Sequence, residues 1–117
     1  MVKFVNQWGI YMVDLGMNSG SVQYGKRPCV IVQQLVGNQY SPTTICLPIT
    51  HSETKAIIPT HYYIYQDDYP FLKWRRNIIL CEQIVTIDKK QIMYFMGGIR
   101  REHRDGLYRT MLKNFKL

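Results

Sequence analysis

Short runs of apolar and β-branched residues, each bounded by turn formers, organise the whole chain. Residues 8–15 form the first predicted strand, and residues 16–26, with three glycines and two serines, a long loop. Residues 28–34 supply a second strand, 43–50 a third, and 61–65 and 77–81 two more. Pro48 has no N–H to give a ladder, so it predicts an edge position or a bulge near a site at the end of the third strand. Toward the C-terminus the period lengthens. Leu107, Tyr108, Met111, Leu112 and Phe115 share one face at helical spacing, which predicts a single amphipathic helix. Gly106 weakens the start of that helix by roughly 1 kcal/mol relative to alanine. Many short strands and one terminal helix predict a mainly β fold, a small and strongly bent barrel.

The 117 residues, without a repeat, low-complexity tract or linker, read as one domain spanning 1–117. Hydrophobic residues at 46% and charged ones at 20% suit a packed core. The charge balance changes the picture. Fifteen Lys and Arg face eight Asp and Glu, a net +7 that favours polyanionic partners. Two clusters carry much of it: Lys73, Arg75 and Arg76, and the last eighteen positions, where Arg100, Arg101, Arg104, Arg109, Lys113 and Lys116 oppose only Glu102 and Asp105. Cys29, Cys46 and Cys81 lie in apolar runs without zinc-ligand spacing and read as small buried hydrophobes in a reducing compartment. No run approaches the ~20 apolar residues of a membrane helix, and the N-terminus has no apolar targeting core, so a cytoplasmic protein is expected.

One arginine stands out. In Gly25-Lys26-Arg27-Pro28 the guanidinium sits between a flexible glycine and a stiff proline, directly before an apolar strand. Arginine keeps its proton, and its planar fork matches phosphate oxygens in pairs, so an anion is the natural partner.

Gly20-Ser21-x-Gln23-x-Gly25-x-Arg27-Pro28, Asn38-x-x-Ser41-Pro42-Thr43, Pro48-Ile49-Thr50, Pro59-Thr60-His61 and the run from Cys81 to Lys89 follow one another in an order and spacing that resemble the MazF/PemK-family toxins. The resemblance runs from about Trp8 to the C-terminal helix. It implies an SH3-like β-barrel of the MazF/CcdB/Kid type, a homodimer that cuts single-stranded mRNA at short sequences, and a cognate antitoxin whose disordered tail occupies the RNA groove. It also implies two catalytic positions, Arg27 and Thr50. The chain departs from the family pattern at Trp8-Gly9, at Val85, and at His51-Ser52. The RNA preference is therefore not transferable.

Cleavage without a metal means attack of the 2′-OH on the adjacent phosphorus, leaving a 2′,3′-cyclic phosphate and a 5′-OH. Negative charge grows on the non-bridging oxygens, where Arg27 and the Thr50 hydroxyl are the candidate stabilisers. The loss of one such donor costs about 2.7–4 kcal/mol. The chain has no close Asp/Glu cluster of the kind a two-metal nuclease needs, so neither a metal nor any other cofactor is expected. His51 is a third catalytic candidate, as general acid for the leaving 5′-oxygen, because histidine titrates near neutral pH. Alternation points Thr50 and His51 to opposite faces unless the strand ends between them. Candidate RNA contacts are Tyr24 and Trp74 for stacking, Ser21 and Gln23 for base edges or for bracing the loop, and Lys26, Ser52, Glu82 and Gln83 beside them. Glu82 has two readings, orienting Arg27 or capping the turn from Asp88 to Gln91, while Tyr62, Tyr63 and Tyr65 read as strand residues.

Two rival functions bear on the same barrel. A CcdB-like gyrase inhibitor carries a Trp-Gly-Ile ending, where this sequence has Asn114-Phe115-Lys116-Leu117. A degenerate toxin would be a non-catalytic SH3-like nucleic-acid-binding protein, in which Thr50→Ala leaves any residual cleavage unchanged.

Overall fold

A computed structural model describes residues 4–17, 20, 22–52 and 57–115. Seven strands, β1 (Gly9–Asp14), β2 (Lys26–Ile31), β3 (Thr43–Thr50), β4 (His61–Tyr65), β5 (Arg76–Leu80), β6 (Val85–Asp88) and β7 (Ile92–Gly98), form one antiparallel sheet. A short helix α1 (Leu35–Tyr40) precedes β3, a 3₁₀ turn Lys89–Gln91 precedes β7, and α2 (Arg101–Leu112) follows it. The strand order is β4-β5-β3-β2-β1-β7, with β6 also paired to β3. Among the described residues the sheet does not close; β4, β6 and β7 each pair with one strand only.

The three central strands are buried on both faces, which is why they read as apolar runs more than as alternation. Ile10, Val30 and Leu47 belong to one core with Ile64, Ile79 and Leu107, while Tyr11, Val13, Cys29, Ile31 and Cys46 belong to a second with Ile87 and Ile92. All three cysteines are buried and free, as expected of small hydrophobes.

β3 is the hinge of this arrangement. On one side it pairs β2 through Cys46–Pro48; on the other it pairs β6 through Thr43–Cys46 and then β5 through Ile49 and Thr50. Pro48 is therefore in a central strand, not at an edge. It falls where the far partner changes from β6 to β5, so its missing N–H interrupts no continuous ladder.

Other expectations need correction. β6 and β7 were not predicted, because β6 buries only Ile87 and β7 exposes Met93, Tyr94 and Phe95 in succession. The stretch between the second and third predicted strands, to which no element was assigned, is α1, and Asn38 is fully buried in it. Thr44 Oγ1 and Gln33 Nε2 donate to Asn38 Oδ1 at 2.6 and 3.2 Å, Asn38 Nδ2 donates to Gln33 O at 2.7 Å, and buried Lys89 donates to the Asn38 carbonyl. Burial holds the Lys89 amine below its ordinary range.

Gly106 does not start α2 but lies in its interior, where an added Cβ would sit 3.0 Å from the Tyr62 ring. The expected apolar face also divides: Leu107 is buried and Met111 half-buried, whereas Tyr108, Leu112 and Phe115 are exposed. Basic residues near this helix are held in local contacts. Arg100 pairs with Asp68 at 2.7 Å and with Glu102, Arg109 pairs with Asp105 at 2.8 Å, and Arg104 Nε donates to Ile99 O. Exposed pairs of this kind contribute little to stability. No helix among the described residues is long and apolar enough to cross a membrane.

Candidate active site

Two glycines build the neck of the loop between β1 and β2. Gly16 and Gly25 adopt φ of 79° and 76°, the left-handed region that glycine enters freely. Gly25 N donates to Gly16 O at 2.8 Å, and Leu15 N donates to Gly25 O at 2.9 Å. Arg27 emerges two residues later, on β2. Its Nε donates to the Tyr24 carbonyl at 3.0 Å, which ties the guanidinium to the loop base. Its terminal NH₂ groups have no partner among the described residues.

The β2–β3 pairing ends with Cys29 against Pro48, and Arg27 and Thr50 each lie two residues beyond that pair. Both line one open cleft of about 420 Å³ together with Lys26, His51, Lys73 and Trp74. The condition that sequence alternation imposed on His51 is met, because β3 ends at Thr50 and His51 lies beyond it, in the same cleft.

His51 is held by Trp74: the rings stack with centroids 3.7 Å apart and planes 17° from parallel. Lys73 Nζ stands 5.3 Å from the Trp74 ring centre. The loop carrying these residues is pinned from beneath. Tyr69 is fully buried, and its hydroxyl bonds His103 Nδ1 at 2.7 Å and accepts from Arg100 N at 3.0 Å. Asn77 Nδ2 donates to Trp74 O at 2.7 Å, and Gln66 Nε2 donates to Leu72 O at 2.9 Å.

A second cavity of about 420 Å³ shares His51 and Trp74 with the first and is lined further by Ser52, Tyr65, Arg75 and Arg76. Taken together, the two cavities present five cationic side chains, Lys26, Arg27, Lys73, Arg75 and Arg76, and no carboxylate among the described residues. Such a surface attracts and holds a polyanion.

The remaining candidates lie elsewhere. Gln23 N donates to Gln83 Oε1 at 2.9 Å, so this contact braces the loop against the β5–β6 turn. Glu82 neither orients Arg27 nor caps the following turn. Its carboxylate accepts from His61 Nε2 at 3.1 Å and from Thr60 Oγ1 at 3.4 Å, while Asp88 and Gln91 form their own capping box. Tyr24 is half exposed and lines neither cavity, and Ser21 lies outside the described residues.

Sequence reasoning missed Tyr65 and Tyr94 as cavity-lining residues. Tyr65 carried a signal, since it closes β4 beside the 73–76 basic cluster; Tyr94 carried none, because β7 itself went unrecognised. Among the described residues no group of three His, Cys, Asp or Glu side chains is placed to hold a metal ion.

A family model described as PemK-like, MazF-like toxin of type II toxin-antitoxin system matches residues 6–115. Endoribonuclease MazF of Staphylococcus epidermidis is 44% identical over 88 residues, spanning 75% of this chain and 72% of that protein. Among solved structures, MazF (Form-I) from Deinococcus radiodurans superposes with a TM-score of 0.77 at 11% identity, over 96% of each chain. A mycobacterial endoribonuclease in complex with its cognate antitoxin gives 0.75 at 18% identity, over 93% of this chain and 92% of that one. At those identities the structural likeness concerns the fold.

Proposed function

Since this chain belongs to the PemK-like, MazF-like toxins of type II toxin-antitoxin systems and is an endoribonuclease of that family, we propose that it cuts single-stranded mRNA at the Arg27–Thr50 cleft without a metal. The observation that carries this reading is the cleft itself: three cations, the Thr50 hydroxyl and a histidine line it, two more cations line the adjoining cavity, and no carboxylate of the described residues stands among them.

The 2′-oxygen attacks the neighbouring phosphorus, the P–O5′ bond breaks, and the products are a 2′,3′-cyclic phosphate and a 5′-OH. Arg27 and the Thr50 hydroxyl stabilise the charge that builds on the non-bridging oxygens. A guanidinium surrenders its proton too reluctantly to shuttle it, so Arg27 works electrostatically. His51, at the rim of the same cleft, supplies the proton that the 5′-oxygen takes up, and the 2′ proton passes to solvent. Lys26 and Lys73 hold flanking phosphates, while Ser21, Gln23, Tyr24, Ser52, Trp74, Glu82 and Gln83 stay candidates for contacts farther along the RNA.

The protein acts as a homodimer in the cytoplasm, restrained by a cognate antitoxin whose acidic tail competes with RNA for the basic surface. The deciding experiment incubates mixed-sequence RNA with wild type and Arg27→Ala in EDTA and maps cut sites and end groups. Cyclic-phosphate ends from wild type and a loss of about 10²–10³ in rate for Arg27→Ala are expected. Cleavage that vanishes in EDTA, or that Arg27→Ala leaves intact, refutes the proposal.

A further inference from the structure

The second cavity is contiguous with the cleft. His51 and Trp74 line both, so a strand whose phosphate lies at Arg27 and Thr50 meets the next cavity once it passes the stacked pair.

Its walls suit a nucleobase. Tyr65 and Trp74 are 47% and 43% exposed, which leaves ring surface open to a ligand. Arg76 is already committed, with Nη2 donating to Ser52 O at 2.7 Å and the guanidinium 5.2 Å from the Tyr63 ring centre. Arg75 is exposed, and its side chain makes no hydrogen bond or ion pair among the described residues. Its backbone is nevertheless fixed, because Gln66 N donates to Arg75 O at 2.9 Å. An uncommitted fork on a fixed backbone, beside open aromatic rings, is how unpaired bases are bound: they stack on rings and present acceptor edges to arginine.

We propose that this cavity is a base-binding subsite for the nucleotide flanking the cleavage point, in which Tyr65 stacks the base and Arg75 reads its acceptor edge, so that these two residues set sequence preference at one position. The proposal rests on the RNA-cutting reading of the neighbouring cleft.

The test maps cut sites in mixed-sequence RNA for wild type, Tyr65→Ala, Tyr65→Leu, Arg75→Ala and Arg27→Ala, with circular dichroism melts to verify folding. Arg75→Ala should keep the cutting position but relax preference at one flanking base by about tenfold or more. The Tyr65 variants should raise KM severalfold with kcat little changed. Unchanged preference and KM in folded Arg75→Ala, while Arg27→Ala no longer cuts, overturn the subsite and leave the ribonuclease reading standing. Intact RNA preference combined with lost neutralisation by antitoxin would assign the cavity to the protein partner and also overturn it. A wild type that does not cut, or cutting indifferent to Arg27→Ala, defeats both readings together.

Discussion

The imidazole of His51 lies flat on the indole of Trp74, with ring centroids 3.7 Å apart. Trp74 thereby holds the His51 ring at the rim of the Arg27–Thr50 cleft. The charged groups lining the two cavities with His51 are all cations: Lys26, Arg27, Lys73, Arg75 and Arg76.

Proton donation by His51 predicts that His51→Ala slows cleavage and changes the pH–rate profile. Trp74→Ala should lower the rate in wild type far more than in the His51→Ala background, a coupling of about 0.5–1.5 kcal/mol. Profiles that are identical in wild type and His51→Ala would remove histidine from the chemistry.

Lys26 and Lys73 predict a salt signature. Each phosphate neutralised on a single strand contributes about −0.7 to the slope of log affinity against log salt. Measured with RNA and a Thr50→Ala protein, Lys26→Ala and Lys73→Ala should each make that slope shallower by about 0.7. An unaltered slope would place the RNA elsewhere.

Gly97 predicts a steric effect at a distance from Arg27 and Thr50. An added Cβ there would come within 2.6 Å of Phe71 Cζ, and Phe71 lines the cleft. Gly97→Ala should push the ring aside, cost about 1–3 kcal/mol of stability and lower the cleavage rate. Urea melts and single-turnover rates check both parts.

Asn38 predicts a purely structural loss. Asn38→Ala removes the acceptor for Thr44 Oγ1 and Gln33 Nε2 inside the fold, at about 1–3 kcal/mol for each partner left unsatisfied. The urea midpoint should fall, while the rate per folded molecule at saturating RNA stays near wild type.

Cys81 predicts an alkaline limit. Burial, reinforced by the nearby Glu82 charge, pushes its thiol from 9.0 up to about 12. The unfolded chain gives up this proton first. The stabilisation is therefore complete below about pH 9 and is lost as the pH climbs toward 12. Cys29, hydrogen-bonded to Cys46, and Tyr69, buried in the core, shift in the same direction, whereas Lys89 opposes them. Melting midpoints measured upward from neutral pH should fall above about pH 9, and Cys81→Ala should flatten part of that fall.

Five strands were legible in sequence: β3 and β4 begin and end where their predicted runs do, and β1, β2 and β5 are displaced by only a few residues. The meeting of Arg27 with Thr50 was legible only through a family motif, since no local pattern encodes a cross-strand register. β6 went unseen because one buried isoleucine in four residues makes no period, and β7 because an edge strand with exposed aromatics looks like neither template. The role of Trp74 was partly legible. Its basic neighbours announced a surface site, but the stack on His51 joins residues 23 positions apart, through a loop held by Tyr69 and Asn77.

The clasp between Gly16 and Gly25 separates two jobs within one hairpin. With the strands pinned at that neck, the length of the segment beyond it is decoupled from the alignment of β1 with β2, while the Tyr24 carbonyl inside the clasp ties Arg27 Nε to the loop base.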